Sequence, residues 1–418
     1  MDQIQNIVMV IAQQAKQASY KLASVSSDEK NQALLAIAQA LDEHRDFIKV
    51  QNALDMQTAV EGQCASSLID RLRLDDKRID SMIEGVRTVA ELSDPIGKLI
   101  TSKKLDNGLE LKKIRVPLGV IGVIFESRPN VVVDVAALCL KSGNAVILRG
   151  GKEAWHSNQA LIKAIDAGLN KINFPLFAVQ MIPINDRLAV NHLCRFNDYI
   201  DVIIPRGGEG LIQAVSDCAT VPVIKHYKGV CNIFIDESAD IKKALDICHN
   251  AKVQRPGVCN AVETILVHQK IAQQFLPKLY ENFNEAQVEI RGDEKVLEII
   301  PAKKAQEEDW ATEYLDLIVA IKIVNDVEEA ISHINCYGSH HSDSIVSENK
   351  SHQLRFTKEV DSAAIYVNAS TRFTDGACFG LGAEIGISTD KLHARGPMGL
   401  NELTTYKWVG IGNGQIRK

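Results

Sequence analysis

The stretch "NAKVQRPGVCNAVETILVH" (250–268) holds a cysteine, Cys259, four residues after Arg255 and one before an asparagine. Pro256 and Gly257 shape a turn ahead of it, and the β-prone run "VETILV" follows. A thiol exposed on a loop near a guanidinium is expected to ionise more readily, as a catalytic thiol requires. The chain has nine cysteines, and most of them read as small buried hydrophobes. Their number is odd, their spacing is scattered and no Cys-x-x-Cys occurs. That argues against a disulfide framework or a zinc site and for a reducing, cytoplasmic setting. From these residues alone Cys259 is either the nucleophile or one more buried thiol.

The glycines do not form a standard dinucleotide fingerprint, Gly-x-Gly-x-x-Gly at a strand-to-helix turn. "GLGAEIG" (380–386) has a similar spacing but follows no clear strand, so it reads as a glycine-rich loop. "LRGGKEA" (148–154) has Gly-Lys but lacks the rest of a phosphate loop. In "IPRGGEGLIQAV" (204–215) a strand ends, two glycines allow close backbone approach and a helix begins. Such a helix N-terminus suits a phosphate, and a plain tight turn fits equally well.

The elements that must position these residues alternate. The first hundred residues read as helices, with Ser27-Asp28 as a capping signal before "EKNQALLAIAQALDEH". An extended hairpin is expected near 99–116, followed by a buried strand in "GVIGVIF". Short β-branched runs follow at 145–149, 177–182, 201–205, 221–225 and 231–235, then at 262–267, 317–324, 343–346 and 363–367. Helical patterns such as 269–283 and 326–335 separate several of them, which predicts parallel, doubly wound sheets. With 418 residues, two α/β domains meeting near residue 250 are the simplest layout. A net charge of −6 and a pI of about 6.0 give no footprint for nucleic acid. Asp2 and interspersed Gln at the start do not fit a signal peptide, and no apolar run is long enough for a membrane span.

Several stretches together resemble one family. "VPLGVIGVIFESRPNV" (116–131), "GNAVILRGGKEAWHSN" (143–158), "VIIPRGGEGLI" (202–212), "QRPGVCNA" (254–261), "AIYVNASTRFTDG" (364–376) and "HARGPMGLNELTTYKWVGIGNGQIR" (393–417) are similar to the γ-glutamyl phosphate reductases. These form a branch of the aldehyde dehydrogenase superfamily, and the similarity runs the length of the chain. It implies an aldehyde dehydrogenase-like α/β fold of two doubly wound domains with a β-hairpin oligomerisation arm. Residues 1–98 and 117–250 would bind the dinucleotide, and 251–370 would carry the nucleophilic cysteine. Residues 99–116 and 400–418 would form arm and tail, and 371–399 would return to the domain interface. The implied reaction is NADPH-dependent reduction of L-glutamate 5-phosphate to L-glutamate 5-semialdehyde with release of phosphate, in proline biosynthesis.

The resemblance also assigns roles. Cys259 is the nucleophile. Its backbone amide and Asn130 are candidate oxyanion donors, with Arg128 in the competing position and helix capping as the structural alternative for Asn130. Arg149, Gly150 and Lys152 stand where the adenosine ribose and a 2′-phosphate would lie. Arg206, Gly207 and Gly208 form the turn facing the pyrophosphate. Glu313 holds the nicotinamide ribose, or is an ordinary surface acid. Arg128, Arg255 and Arg372 suit the carboxylate and phosphate of the substrate, and Asp375 its ammonium group or a turn. No metal is implied. Partners are the small-molecule substrate, further copies of the chain in a homo-oligomer, and glutamate 5-kinase in a functional contact; neither nucleic acid nor membrane is expected.

One departure from the wider superfamily is informative. Hydrolytic members carry a glutamate base before a Gly-Gly-Lys stretch, whereas "VIKHYKGVCNIFI" (223–235) has no acid and offers Lys225, His226 and Lys228 instead. An enzyme that uses phosphate has no need to activate water. Two competing readings are a coenzyme-A-acylating aldehyde dehydrogenase, which would share the thiol, and a non-catalytic binding protein on the same fold.

Overall fold

A computed structural model of the chain describes residues 3–225 and 228–417. It divides into two compact units: Met1–Lys225 with Gly380–Gly386 and Met398–Lys418, and His226–Phe379 with Ile387–Pro397.

The first unit opens with the helices Gln3–Leu22, Ser27–Glu43, Arg45–Glu61, Ser66–Leu72 and Asp76–Glu91. The expected capping signal lies one residue earlier than read from the sequence. Ser26 caps the second helix and forms a reciprocal box with Glu29, because the serine keeps extended backbone angles while Ser27 is already helical. A four-stranded parallel sheet follows, in the order Val179–Met181, Ala145–Gly150, Val120–Phe125, Val202–Arg206. Its central strands "VIGVIF" and "AVILRG" are buried at every position, as strands covered on both faces require. In chain order the strands run third, second, first, fourth. The switch in direction therefore falls between Val120–Phe125 and Val202–Arg206, where open α/β sheets bind ligands beyond their strand ends. The run at 221–225 makes only an isolated bridge, Val223 with Ile203.

The hairpin Leu99–Lys104 and Glu110–Pro117 is present and antiparallel. Thr404–Ile411 adds to its second strand, from Thr404 opposite Pro117 to Ile411 opposite Glu110. Positions 110–117 are all half-buried, so the two faces of this strand are not sharply distinguished.

The second unit is built on a seven-stranded parallel sheet. The order is Lys303–Lys304, Glu289–Gly292, Ile318–Val324, Val262–His268, Cys231–Ile235, Ser342–Val346, Ala364–Val367. The helix Gln269–Glu285 presents Ala272, Phe275, Leu276, Leu279 and Phe283 at helical spacing to the same core as Ile265, Val267 and Ile321.

One long-range cap fixes the end of the strand Ala145–Gly150. The helix after it, Trp155–Lys171, has no side-chain cap of its own at Ala154. Asp55, from the third helix, accepts hydrogen bonds from the His156 and Ser157 amides at 3.1 and 2.7 Å and from the Ser157 hydroxyl at 2.6 Å. Asn52 beside it bonds Leu72, Leu74 and Ser157. Asp55→Ala leaves buried amides unsatisfied and should cost about 2 kcal/mol. Urea denaturation checks this; an unchanged midpoint would show that the helix start does not need the cap.

Candidate active site

Cys259 lies on the eight-residue loop between the helix Ile241–Val253 and the strand Val262–His268, and it is half-buried. Its backbone is pinned from behind. A Cβ atom on Gly229 would lie 2.5 Å from the Cys259 Cα and would overlap its carbonyl oxygen, so only glycine permits this approach. The Cys231 thiol donates to that same carbonyl at 3.2 Å. Cys231 itself is fully buried, and burial pushes its thiol well above the ordinary value, which marks it as structural. His226, offered above as a cation in this segment, lies outside the described residues.

The residue after Cys259 holds the loop from the other side. Asn260 is buried and donates to the Thr374 carbonyl at 2.8 Å, while its own carbonyl accepts from the Thr371 hydroxyl at 2.7 Å. Its side-chain oxygen accepts from Arg372, whose Nε donates to Gln254 at 2.9 Å. Arg372 is thus brought to the base of the Cys259 loop. Burial, then the charge of Arg255, push its guanidinium down from the ordinary value. Two guanidiniums that repel each other beside a thiol form a setting that an anion relieves. Arg255 is exposed. Asp375 spends one carboxylate oxygen on a turn, accepting from the amides of Ala377 and Cys378 at 2.9 and 3.2 Å.

Glu313 is half-buried in the segment before the strand Ile318–Val324. Beneath this segment lies an ion pair that sequence reading did not single out. Lys252 and Glu263, both without solvent exposure, meet at 2.6 Å. Burial pushes the Glu263 carboxyl up to about 7 and the Lys252 ammonium down, and their mutual attraction opposes both shifts. The available signal was a glutamate inside the apolar run "VETILV", since an acid at a strand position buried on both faces demands a partner.

In the first unit the ends of the parallel strands carry the remaining candidates. Asn130 begins the helix Asn130–Lys141 rather than capping it; the cap position is Pro129, with no side-chain bond. Its amide donates to Asp134 one turn on, at 2.8 Å. Burial pushes the Asp134 carboxyl up to about 6, against the Asn130 bond and the charge of Arg206. Arg128 is exposed on the preceding turn.

Arg149 is buried and faces its own loop, donating to the carbonyls of Gly150 and Asn185 at 2.7 and 2.8 Å. Lys152, two residues past Gly150, is exposed. Gly150 and Gly151 are backed closely by Asn158 and Glu153, so a side chain at either would clash. Gly207 and Gly208 are exposed and lead into the helix Glu209–Cys218. The Gly208 amide donates to the Glu126 carboxylate at 3.0 Å, an anionic oxygen already seated where a phosphate oxygen is expected. Among the described residues no cluster of potential metal ligands occurs.

The contact of Gly229 with Cys259 sets up a direct test. Gly229→Ala must push the nucleophile's backbone aside, and a displacement of the order of 1 Å costs about 100-fold in rate. Gly210→Ala is the control, since nothing lies within 4 Å of a Cβ there. Turnover of both variants, with circular dichroism to establish folding, checks the claim; equal activities would show that the loop accommodates a side chain at 229.

Comparison with known proteins places the chain in a family. The aldehyde dehydrogenase family profile matches residues 4–320. A gamma-glutamyl phosphate reductase of Carboxydothermus hydrogenoformans is 55% identical over 98% of this chain and 99% of its own length. The crystal structure of gamma-glutamyl phosphate reductase from Thermotoga maritima superimposes with a TM-score of 0.97 at 50% identity, covering 98% of this chain and all of the other. An acetylating aldehyde dehydrogenase from Geobacillus thermoglucosidasius shares the fold at 18% identity, with a TM-score of 0.69 over all of this chain and 98% of the other. With relatives that match it from end to end, the chain belongs to the gamma-glutamyl phosphate reductases of the aldehyde dehydrogenase family.

Proposed function

We propose that this chain reduces L-glutamate 5-phosphate to L-glutamate 5-semialdehyde with NADPH and releases phosphate, the second step of proline synthesis. The observation that carries the reading is Cys259, half-buried on a loop whose base holds Arg372 within the field of Arg255. The thiolate of Cys259 attacks the acyl carbon, a C–S bond forms, and the bond from the acyl carbon to the bridging oxygen breaks, its electron pair leaving with that oxygen on phosphate. Arg255 and Arg372 suit the departing dianion. The Cys259 amide and Asn130 serve as donors to the tetrahedral oxygen, and Asp134 orients the Asn130 amide. When bound, NADPH supplies the hydride that converts the thioester to a thiohemiacetal. Collapse of that oxyanion breaks the C–S bond, returning the Cys259 thiolate and freeing the aldehyde.

The residues of the first unit fit a dinucleotide. The sheet has its switch point beside the Gly207–Gly208 turn, and the seated Glu126 carboxylate indicates that this turn accepts an anion. Arg206, Gly207 and Gly208 are assigned to the pyrophosphate, Gly150 to the adenosine ribose, Lys152 to the 2′-phosphate and Glu313 to the nicotinamide ribose. Arg149 acts through the shape of its loop. Arg128 is assigned to the substrate carboxylate, and Asp375, through its remaining oxygen, to the ammonium group. A homo-oligomer is proposed through the antiparallel arm, supported by exposed Leu99, Ile100, Tyr406 and Trp408 on it. A reactive acyl phosphate favours a short path from glutamate 5-kinase. All nine cysteines are unpaired, in keeping with a reducing cytoplasm. No helix among the described residues is long and apolar enough to cross a membrane.

The cofactor assignment separates two neighbouring cations. Lys152→Ala should weaken NADPH relative to NADH by about 1–3 kcal/mol, the worth of a charge-assisted hydrogen bond. Arg149→Ala should weaken both cofactors alike by loosening residues 150 and 185. Equilibrium binding of the two dinucleotides to each variant decides the matter, and equal losses for Lys152→Ala would remove it from the 2′-phosphate.

The acid-free segment 223–235 predicts how the enzyme runs in reverse. Semialdehyde and NADP⁺ in phosphate-free buffer should give a burst of NADPH, at most one per active site, and then stop. Added phosphate, or arsenate as a similar tetrahedral anion, should restart turnover. Cys259→Ala should bind NADPH and show no burst. Sustained production of glutamate without phosphate, followed by rapid mixing, would reveal a hydrolytic base and overturn the reading.

A further inference from the structure

The buried pair Lys252–Glu263 lies on both stems of the nucleophile loop. Lys252 is in the last turn of the helix Ile241–Val253, seven residues before Cys259, and Glu263 is the second residue of the strand Val262–His268, four residues after it. The pair also grips a third segment. The Lys252 ammonium donates to the Asp316 carbonyl at 3.1 Å, and the Glu263 carboxylate accepts from the Leu315 amide at 3.5 Å. Leu315 is held at a φ of +54°, a conformation costly for a branched side chain unless its surroundings enforce it. Its carbonyl lies 3.6 Å from where a Cβ on Gly257 would stand, so the turn before Cys259 packs against the same residue. Leu315 and Asp316, two and three residues after Glu313, are thus tied to the two stems of the Cys259 loop, and the ties converge on two charges with no solvent exposure.

Stability alone is a weak reason for such a pair. Desolvating two ions offsets most of their attraction, and apolar replacements of like volume are often neutral or stabilising. What the pair supplies that apolar side chains do not is direction: an ammonium and a carboxylate each hold a specified backbone group. We infer that Lys252 and Glu263 are positioning residues that set the spacing between the Cys259 loop and the Glu313 segment, and that hydride transfer depends on that spacing. The inference rests on the assignments of Cys259 to the acyl group and Glu313 to the nicotinamide ribose made above. Hydride moves between one group carried by the loop and another carried by the segment, whereas alkylation of Cys259 involves the loop alone.

The test uses the full-length enzyme in the oxidative direction, in phosphate-free buffer, where the NADPH burst reports hydride transfer. Lys252→Met combined with Glu263→Leu replaces the pair by apolar groups. This double variant should fold, keep the rate of Cys259 alkylation by iodoacetamide within about twofold, and lose at least about tenfold in burst rate. Deuterium on the aldehyde carbon should slow its burst more than that of the parent. A second apolar pair, Lys252→Leu with Glu263→Met, is judged by the same ratio if the first does not fold. A burst at the parent rate, or burst and alkylation falling together, overturns the proposal, since the pair would then be idle or merely support the loop. Glu313→Gln separates this from failure of the underlying reading. If Glu313→Gln slows the burst while the double variant does not, the pair's role alone is wrong. If Glu313→Gln leaves the burst at the parent rate, the ribose assignment falls, and the spacing argument with it.

Discussion

The backbone of Cys259 rests against a residue that has no side chain. Gly229 approaches it so closely that one added carbon would occupy the space of the Cys259 carbonyl. The neighbouring strand adapts to this crowding. Cys231–Ile235 pairs in register with Val262–His268 except for an irregularity between Cys231 and Asn232, directly beside the contact. The displaced end is then secured by a buried carboxylate, Asp343, which accepts both the backbone and the side-chain amide of Asn232 at 2.8 Å. A cysteine pressed from behind in this way has few backbone conformations available, so its main chain is already ordered before anything binds.

Charge is distributed around that fixed point by depth. At the base of the loop, Arg372 is held by Asn260 and Gln254, with the charge of Arg255 opposing its own and that of Asp375 favouring it. Beneath, Lys252 and Glu263 are matched to one another and to backbone groups. The first unit follows the same economy at its strand ends. The Arg149 guanidinium is spent on two carbonyls, whereas Lys152 stays exposed. Charges with structural partners shape the loops; charges without them are the ones a polyanionic substrate and cofactor can use.

The sequence revealed the parts whose signal is local. Period-two and continuous apolar runs located most of the strands, and Pro-Gly before Cys259 marked the turn the chain makes there because turn chemistry is written in adjacent residues. The short strands Glu289–Gly292 and Lys303–Lys304 escaped it, since four residues and two residues at a sheet edge carry almost no periodicity. The cap from Asp55 to Ser157 was equally invisible: its partners are 102 positions apart, and an aspartate inside a helix looks like a solvated acid until its neighbours are known. For the same reason the direction in which Arg149 points could not be read from "ILRGGKEA". Strand position fixes where a side chain starts, and only the packed loop at Asn185 decides where a long one ends.

The antiparallel arm has a consequence for the order in which the molecule is made. The strand Glu110–Pro117 pairs along its full length with Thr404–Ile411, and the two are joined by bonds such as that from Arg115 to Thr404, 289 positions apart. During synthesis the hairpin leaves the ribosome with that edge bare and waits for most of the chain to be translated before its own third strand exists. At about 5–20 residues per second the interval is tens of seconds, long compared with the microseconds in which a hairpin forms. Throughout it the edge is a template for any extended chain nearby, including a second nascent copy. Lys112 and Lys113 on the strand Glu110–Pro117 place positive charge beside that edge, which discourages edge-to-edge pairing until the cognate strand arrives.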